Sequence, residues 1–147
     1  MNLLAPVSTI MTKNPVTISP EETLTVAQEI FDKYKIHHIP VVHEGNLVGM
    51  LSKSDFSFFR RGFNDEEYDN ILIDVKLNNY KVKSIMVKGL GKLDADDRIN
   101  IALDIFKQNL FHALPVVEGD RIVGIITTHD IIKHLAEDNA VVNEYNV

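Results

Sequence analysis

Pro40-Val41-Val42-His43-Glu44-Gly45-Asn46-Leu47-Val48-Gly49-Met50-Leu51-Ser52-Lys53-Ser54-Asp55 decides the fold, because the chain repeats it at Pro115-Val116-Val117-Glu118-Gly119-Asp120-Arg121-Ile122-Val123-Gly124-Ile125-Ile126-Thr127-Thr128-His129-Asp130. Worked outward, the correspondence runs without a gap over 7–60 and 82–135, always 75 positions apart, with the same residue at 14 of 54 paired positions and apolar facing apolar at most others. This is a duplicated structural unit. Two copies are too few for a solenoid. They predict two half-units packed face to face, with a pair of equivalent clefts between them.

Within each copy the hydrophobic period switches between strand and helix. Val16-Thr17-Ile18 reads as a short strand; Ser19-Pro20-Glu21-Glu22 offers a Ser cap, a Pro in the first turn and a Glu three residues after the cap, announcing a helix. Val26, Ala27, Ile30, Phe31 and Tyr34 share one face of it, as do Ile99, Ala102, Leu103, Phe106 and Leu110 in the second copy. Ile39 to Val42 and Leu47 to Leu51 form an antiparallel hairpin pattern, repeated at Leu114 to Val117 and Ile122 to Ile126. Ser52 to Arg61 and Thr127 to Leu135 read as closing helices, and Leu3 to Met11 and Lys81 to Met86 as short lead-in helices. The expected fold is α/β (α+β): tandem β-α-β-β-α repeats, with repeat one and its lead-in at 1–61, a connector with some helix at 62–80, repeat two at 81–136 and a tail at 137–147.

With 147 residues, 45% of them hydrophobic, the chain can bury one real core. The absence of cysteine excludes a disulfide framework and a thiolate centre, and fits a cytoplasmic setting. The N-terminal residues lack a basic region followed by a long apolar run, and no stretch approaches the roughly 20 apolar residues of a membrane helix, so neither export nor membrane insertion is expected. Fifteen basic against 21 acidic residues, a net charge of -6, argues against nucleic-acid binding.

Ile10-Met11-Thr12 before Asn14-Pro15-Val16-Thr17, then His37-His38-Ile39-Pro40-Val41-Val42 and Gly49-Met50-Leu51-Ser52-Lys53-Ser54-Asp55, resemble the cystathionine-β-synthase-type (CBS) domain pair, or Bateman module. The second copy matches through Ile85-Met86-Val87, His112-Ala113-Leu114-Pro115-Val116-Val117 and Gly124-Ile125-Ile126-Thr127-Thr128-His129-Asp130. The resemblance implies two repeats packed by pseudo-twofold symmetry, commonly as a homodimer of pairs. It also implies a regulatory module, not an enzyme, that senses an adenine nucleotide (AMP, ADP or ATP) or an adenosyl ligand such as S-adenosylmethionine and signals to a separate partner protein. No cofactor is required by it.

The residues support that chemistry independently. Ser52-x-x-Asp55 and Thr127-x-x-Asp130 stand where a strand ends and a helix begins, so open backbone N–H groups and the positive helix end meet an anion there. The hydroxyls of Ser52 and Thr127 can donate to phosphate, while Asp55 and Asp130 can accept both hydroxyls of a ribose. The resemblance assigns the same roles, places His37 and His112 near the phosphates with Lys53 and Thr128, and lays the adenine edge along Thr12, Asn14, Pro15 and Val16. Repeat two departs from this pattern, with Val87 and Gly89-Leu90-Gly91-Lys92 at the equivalent positions, so the two sites are expected to differ in adenine recognition.

Plainer readings stand beside these. Ser/Thr-x-x-Asp is also close to a capping box, a His before a buried strand commonly bonds a carbonyl, and Lys13 and Lys88 are ordinary surface charges unless a ligand recruits them. If binding is the role of Asp55 and Asp130, replacing either by Ala should leave unliganded stability nearly unchanged. His37, His38 and His43 with Asp55 match no ordinary zinc spacing, and neither a G-x-S-x-G elbow nor a Walker phosphate loop is present. A ligand-free scaffold with degenerate clefts, dimerising or docking through Phe56, Phe58, Phe59, Ile131, Ile132 and Leu135, is the alternative function.

Overall fold

The structure is a computed structural model that describes residues 1–62, 70–89 and 91–138. The start of the expected connector and most of the expected tail lie outside the described residues. In chain order the elements are β1 (Thr12–Lys13), α1 (Leu24–Tyr34), β2 (His38–His43), β3 (Asn46–Ser52), α2 (Lys53–Arg61), α3 (Asn70–Asn79), β4 (Leu93–Asp94), α4 (Ile99–Phe106), β5 (Ala113–Glu118), β6 (Arg121–Thr127) and α5 (Thr128–Glu137). The lead-ins contain single 3-10 turns at Val7–Thr9 and Val82–Ser84.

These elements form two compact units whose boundaries do not follow the repeats. One unit holds residues 16–62, 70–89 and 120–122; the other holds 1–15, 91–119 and 123–138. Each lead-in is therefore built into the unit of the other repeat.

In the unit of the first repeat, β2 and β3 form an antiparallel hairpin with Ile39 opposite Leu51 and Val41 opposite Gly49. The expected strand at Val16 to Ile18 is reduced to one parallel bridge, Ile18 to Val41. The core joins Ile18, Leu24, Ala27, Phe31, Ile39, Val41, Leu51 and Phe56 to Val82 from the lead-in, with Ile73 and Leu77 of α3. In the unit of the second repeat, β4 runs parallel to β5, β1 pairs antiparallel with β6, and the core repeats position for position. Leu93, Ile99, Ala102, Phe106, Leu114, Val116, Ile126 and Ile131 stand there with Val7. Burying a Val side chain of this kind stabilises by roughly 1.5–3 kcal/mol, so Val7 and Val82 are real anchors.

Backbone hydrogen bonds hold the lead-ins, and they too recur at the repeat spacing. Val82 N–H donates to the Glu22 carbonyl (2.9 Å), Lys83 N–H to Pro20 (3.0 Å) and Leu24 N–H to Tyr80 (3.0 Å). Their counterparts are Val7 to Asp97 (2.7 Å), Ser8 to Ala95 (3.2 Å) and Ile99 to Ala5 (3.0 Å). This corrects the expected helix start: Ser19 to Glu22 is a turn, and α1 begins at Leu24, whose first amide is capped by the lead-in carbonyl of Tyr80. Thr23, the N-cap residue, makes no side-chain cap. Tyr34 and Leu110, expected on the buried face, are 45% and 72% exposed; α4 ends at Phe106, short of Leu110.

Further along, each lead-in lies against the last strand of the hairpin. Val87 exchanges two backbone hydrogen bonds with Met50, at 2.9 and 3.0 Å, and Thr12 is opposite Ile125. The neighbouring residues, Gly49 and Gly124, are glycine for want of space. A Cβ on Gly49 would come within 2.9 Å of both the Val87 carbonyl and the Met86 sulfur, and one on Gly124 would meet Met11 and lie 3.0 Å from the Thr12 carbonyl. Beyond the contact the chain bends through a left-handed residue in both copies, Asn14 at φ 48° and Gly89 at φ 66°. Asn tolerates that region, so the two bends differ in sequence and share a backbone.

Gly49→Ala should therefore lower the unfolding free energy by roughly 1–3 kcal/mol, as overpacking does, when measured by urea denaturation. A neutral result would show that the lead-in does not press on β3.

Candidate functional site

Strand β3 ends at Ser52, whose extended backbone lets it cap α2: its Oγ accepts the Asp55 N–H at 3.0 Å. The Lys53 N–H donates to the His37 carbonyl at 2.8 Å. The same pair recurs at α5, where Thr127 Oγ1 accepts the Asp130 N–H at 3.1 Å and the His112 carbonyl accepts from Thr128 at 3.1 Å. Two first-turn amides of each helix are thus used internally. Within these two first turns, the amides that these contacts leave open are those of Ser54 and His129, so each helix offers an anion one donor, fewer than the bare sequence motif suggests.

The two carboxylates differ. Asp130 Oδ2 accepts both the Thr127 N–H and the Thr127 hydroxyl, each at 2.8 Å, completing a reciprocal capping box. Asp55 makes no such return bond; it caps nothing with its side chain, is exposed, and lines a cavity of about 490 Å³. Asp130 is therefore a cap of α5, and its removal is expected to cost that cap whether or not a ligand binds. At Asp55 the carboxylate is open to a ligand.

The structure gathers the candidate residues across the repeats. Around α2 stand Ser52, Lys53, Asp55 and His37, with Val87 of the second lead-in lining the Asp55 cavity. In the unit of α5, with Thr127, Thr128, Asp130 and His112, lie Thr12, Asn14 and Pro15 of the first lead-in, where Thr12 and Asn14 pair with β6, whereas Val16 begins the other unit. The second lead-in shares a cavity wall with the Asp55 carboxylate of the first repeat, and the first lead-in runs along β6 of the second. The sequence signal for this was the pair of glycines, since Gly49 and Gly124 mark where a foreign backbone must pass.

The edge of β1 that faces outward belongs to Lys13. Thr12 pairs with Ile125 and the Asn14 N–H bonds the Val123 carbonyl at 3.3 Å, so antiparallel alternation turns the Lys13 N–H and C=O away from β6. Lys13 thus presents the outward backbone N–H and C=O of β1.

The cavities differ in chemistry. The larger one is walled by Asp55, Phe58, Phe59, Gly62, Ile85 and Val87. In the other unit a cavity of about 300 Å³ has Ile10 in place of Ile85, His134 in place of Phe59 and Glu137 in place of Gly62. Among the described residues, no group of three or more metal-ligating side chains occurs, and no helix is long and apolar enough to cross a membrane.

One charge cluster secures only one lead-in. Glu21 accepts from Lys81 at 2.7 Å and from Lys83 at 2.9 Å, and these hydrogen bonds, Lys81 first, hold its carboxyl down at about 2. The equivalent positions in the other unit, Asp96, Pro6 and Ser8, carry no such pair of cations.

The family model for the CBS domain matches residues 7–61 and 82–137. The chain belongs to the CBS domain family. Among its relatives, the inosine-5'-monophosphate dehydrogenase of Aquifex aeolicus is 30% identical over 133 residues, which are 89% of this chain and 24% of the dehydrogenase. The uncharacterized protein MJ1225 of Methanocaldococcus jannaschii is 28% identical over 130 residues, 86% of this chain and 45% of that protein. The chain thus spans 24% and 45% of the length of these two curated relatives. Among solved structures, the CBS domain pair of MJ0100, in complex with 5'-methylthioadenosine and S-adenosyl-L-methionine, superposes with a TM-score of 0.73 at 24% identity, covering 91% of this chain and 98% of that one. CBSX2 from Arabidopsis thaliana gives 0.76 at 20% identity, covering 90% and 95%. These likenesses show the fold.

Asp130→Ala should cost about 0.5–2 kcal/mol of unliganded stability, the usual value of a lost cap, and Asp55→Ala distinctly less, as read from urea unfolding of both variants. Because the folded Glu21 carboxyl lies below its ordinary 4.5, its clamp stabilises fully above that value and is lost as pH falls toward about 2. The melting-temperature gap between the parent chain and Glu21→Gln should close over that interval, and should narrow with added salt because the pair is exposed.

Proposed function

We propose that this chain is a regulatory CBS pair that binds an adenine nucleotide (AMP, ADP or ATP) or a related adenosyl ligand, and passes its occupancy to a partner protein. The observation that carries the reading is the uncommitted Asp55 carboxylate, set at the start of α2 in a cavity walled by the lead-in of the other repeat. A carboxylate there accepts a ribose diol; the Ser52 hydroxyl and the Ser54 amide donate to phosphate, with His37 and Lys53 beside them. MJ0100 with 5'-methylthioadenosine and S-adenosyl-L-methionine, and CBSX2 in complex with AMP, support the ligand class.

Signalling in this reading runs through the lead-ins. A ligand touching both Asp55 and Val87 ties the second lead-in to α2, and it shifts a conformational balance only to the extent that it binds one arrangement better than the other. We place the module in the cytoplasm, as a homodimer acting on a separate target, in a sensing rather than a catalytic role. The capping box at Asp130 favours a second, structural reading for that site alone.

Calorimetric titration with AMP, ATP and S-adenosylmethionine tests the proposal. At least one should bind the parent chain, and Asp55→Ala should weaken that binding by about tenfold or more, the scale of hydrogen bonds to a charged group. Absence of heat for all three would support the ligand-free scaffold instead.

A further inference from the structure

Helix α2 carries three phenylalanines, and two have structural partners. Phe56 is 5% exposed and packs against Phe31, with ring centroids 5.7 Å apart. Phe59 meets the edge of Tyr80 at 5.1 Å. Phe58 is 76% exposed, yet it lies in the wall of the Asp55 cavity. Its equivalent in the second repeat is Lys133, so the helix fold does not require an aromatic ring at this turn.

Among the described residues, the cavity lining has no Lys or Arg, and its one charge is the Asp55 carboxylate. A phosphate group entering it would meet an anion and apolar walls. A flat, uncharged purine would meet a ring face and aliphatic side chains from Ile85 and Val87. Asp55 and Phe58 are three residues apart on one helix, which sets their Cβ atoms about 5–6 Å apart, the scale of a single nucleoside. The phosphate donors, Ser52 and the Ser54 amide, lie at the helix start, away from Phe58.

We propose that Phe58 is an adenine-stacking residue: the base lies against its ring while Asp55, one turn earlier, holds the ribose hydroxyls. This rests on the adenosyl reading of the Asp55 cleft given above and extends it to base recognition. It also ranks the two units. The unit that carries Lys133 has no stacking wall at that turn and a carboxylate already engaged by Thr127, so the Asp55 cleft fills first.

The chain contains no tryptophan, which makes Phe58→Trp a site-specific fluorescence reporter. Adenosine and AMP should both quench its emission, and ribose 5-phosphate should not. Phe58→Ala should weaken AMP binding by about tenfold in calorimetry, as loss of one base–aromatic stack does, with its melting temperature unchanged because the ring is exposed. An Ala variant that binds AMP like the parent chain, or a Trp reporter silent to adenosine, overturns the proposal. So does a Phe58→Ala variant that turns a dimer into a monomer while keeping its AMP affinity, since the ring would then cover a second copy. If the parent chain binds neither AMP nor adenosine, the adenosyl reading falls and this proposal with it. If it binds and Asp55→Ala alone abolishes binding, only the stacking assignment falls.

Discussion

The constraint on which the structure depends is the passage of each lead-in backbone across the hairpin of the opposite repeat. It is set by a few atoms: the carbonyl of Val87 over Gly49, the carbonyl of Thr12 over Gly124, and the methionine just before each. Any side chain larger than hydrogen at those glycines would push the lead-in off. That displacement would uncover Val7 or Val82, and it would remove the carbonyl that caps the first amide of α4 or α1. Fold and site are thus coupled, because the same lead-in that completes a core also forms a wall of the cavity beside α2.

Much of this was legible in the sequence because duplication preserved the residues that backbone geometry requires. Gly49 and Gly124, Pro40 and Pro115, and Asp55 and Asp130 recur at one spacing, and the hairpins and closing helices follow from the apolar pattern between them. Other features were hidden for physical reasons. Ser19-Pro20-Glu21-Glu22 has the composition of a helix start, but its carbonyls are taken by Lys83 and Val82, and the helix begins where a distant carbonyl caps it. A hydrogen bond between backbones far apart in sequence leaves no local trace. The exchange of lead-ins was illegible for the same reason, and with it the pairing of Thr12 and Asn14 with β6.

The two units share a fold and have diverged in chemistry. Where both retain the Ser/Thr-x-x-Asp pattern, the second closes it into a capping box and the first leaves the carboxylate open. Where both retain a lead-in turn, the first repeat's unit holds it with Glu21, Lys81 and Lys83, and the other with backbone bonds, Val7 and the ion pair between the Met1 amino group and Asp138. The lead-in clamped by Glu21 therefore belongs to the unit with the open carboxylate. A ligand there would meet a pre-ordered wall, which lowers the ordering cost of binding.

A lead-in from one repeat forming part of the ligand site of the other is the central claim. Hydrogen exchange with and without saturating AMP or S-adenosylmethionine measures this directly. Ligand should slow exchange in residues 81–89 together with the start of α2. Slowing confined to other segments, with 81–89 exchanging as in the unliganded chain, would contradict it.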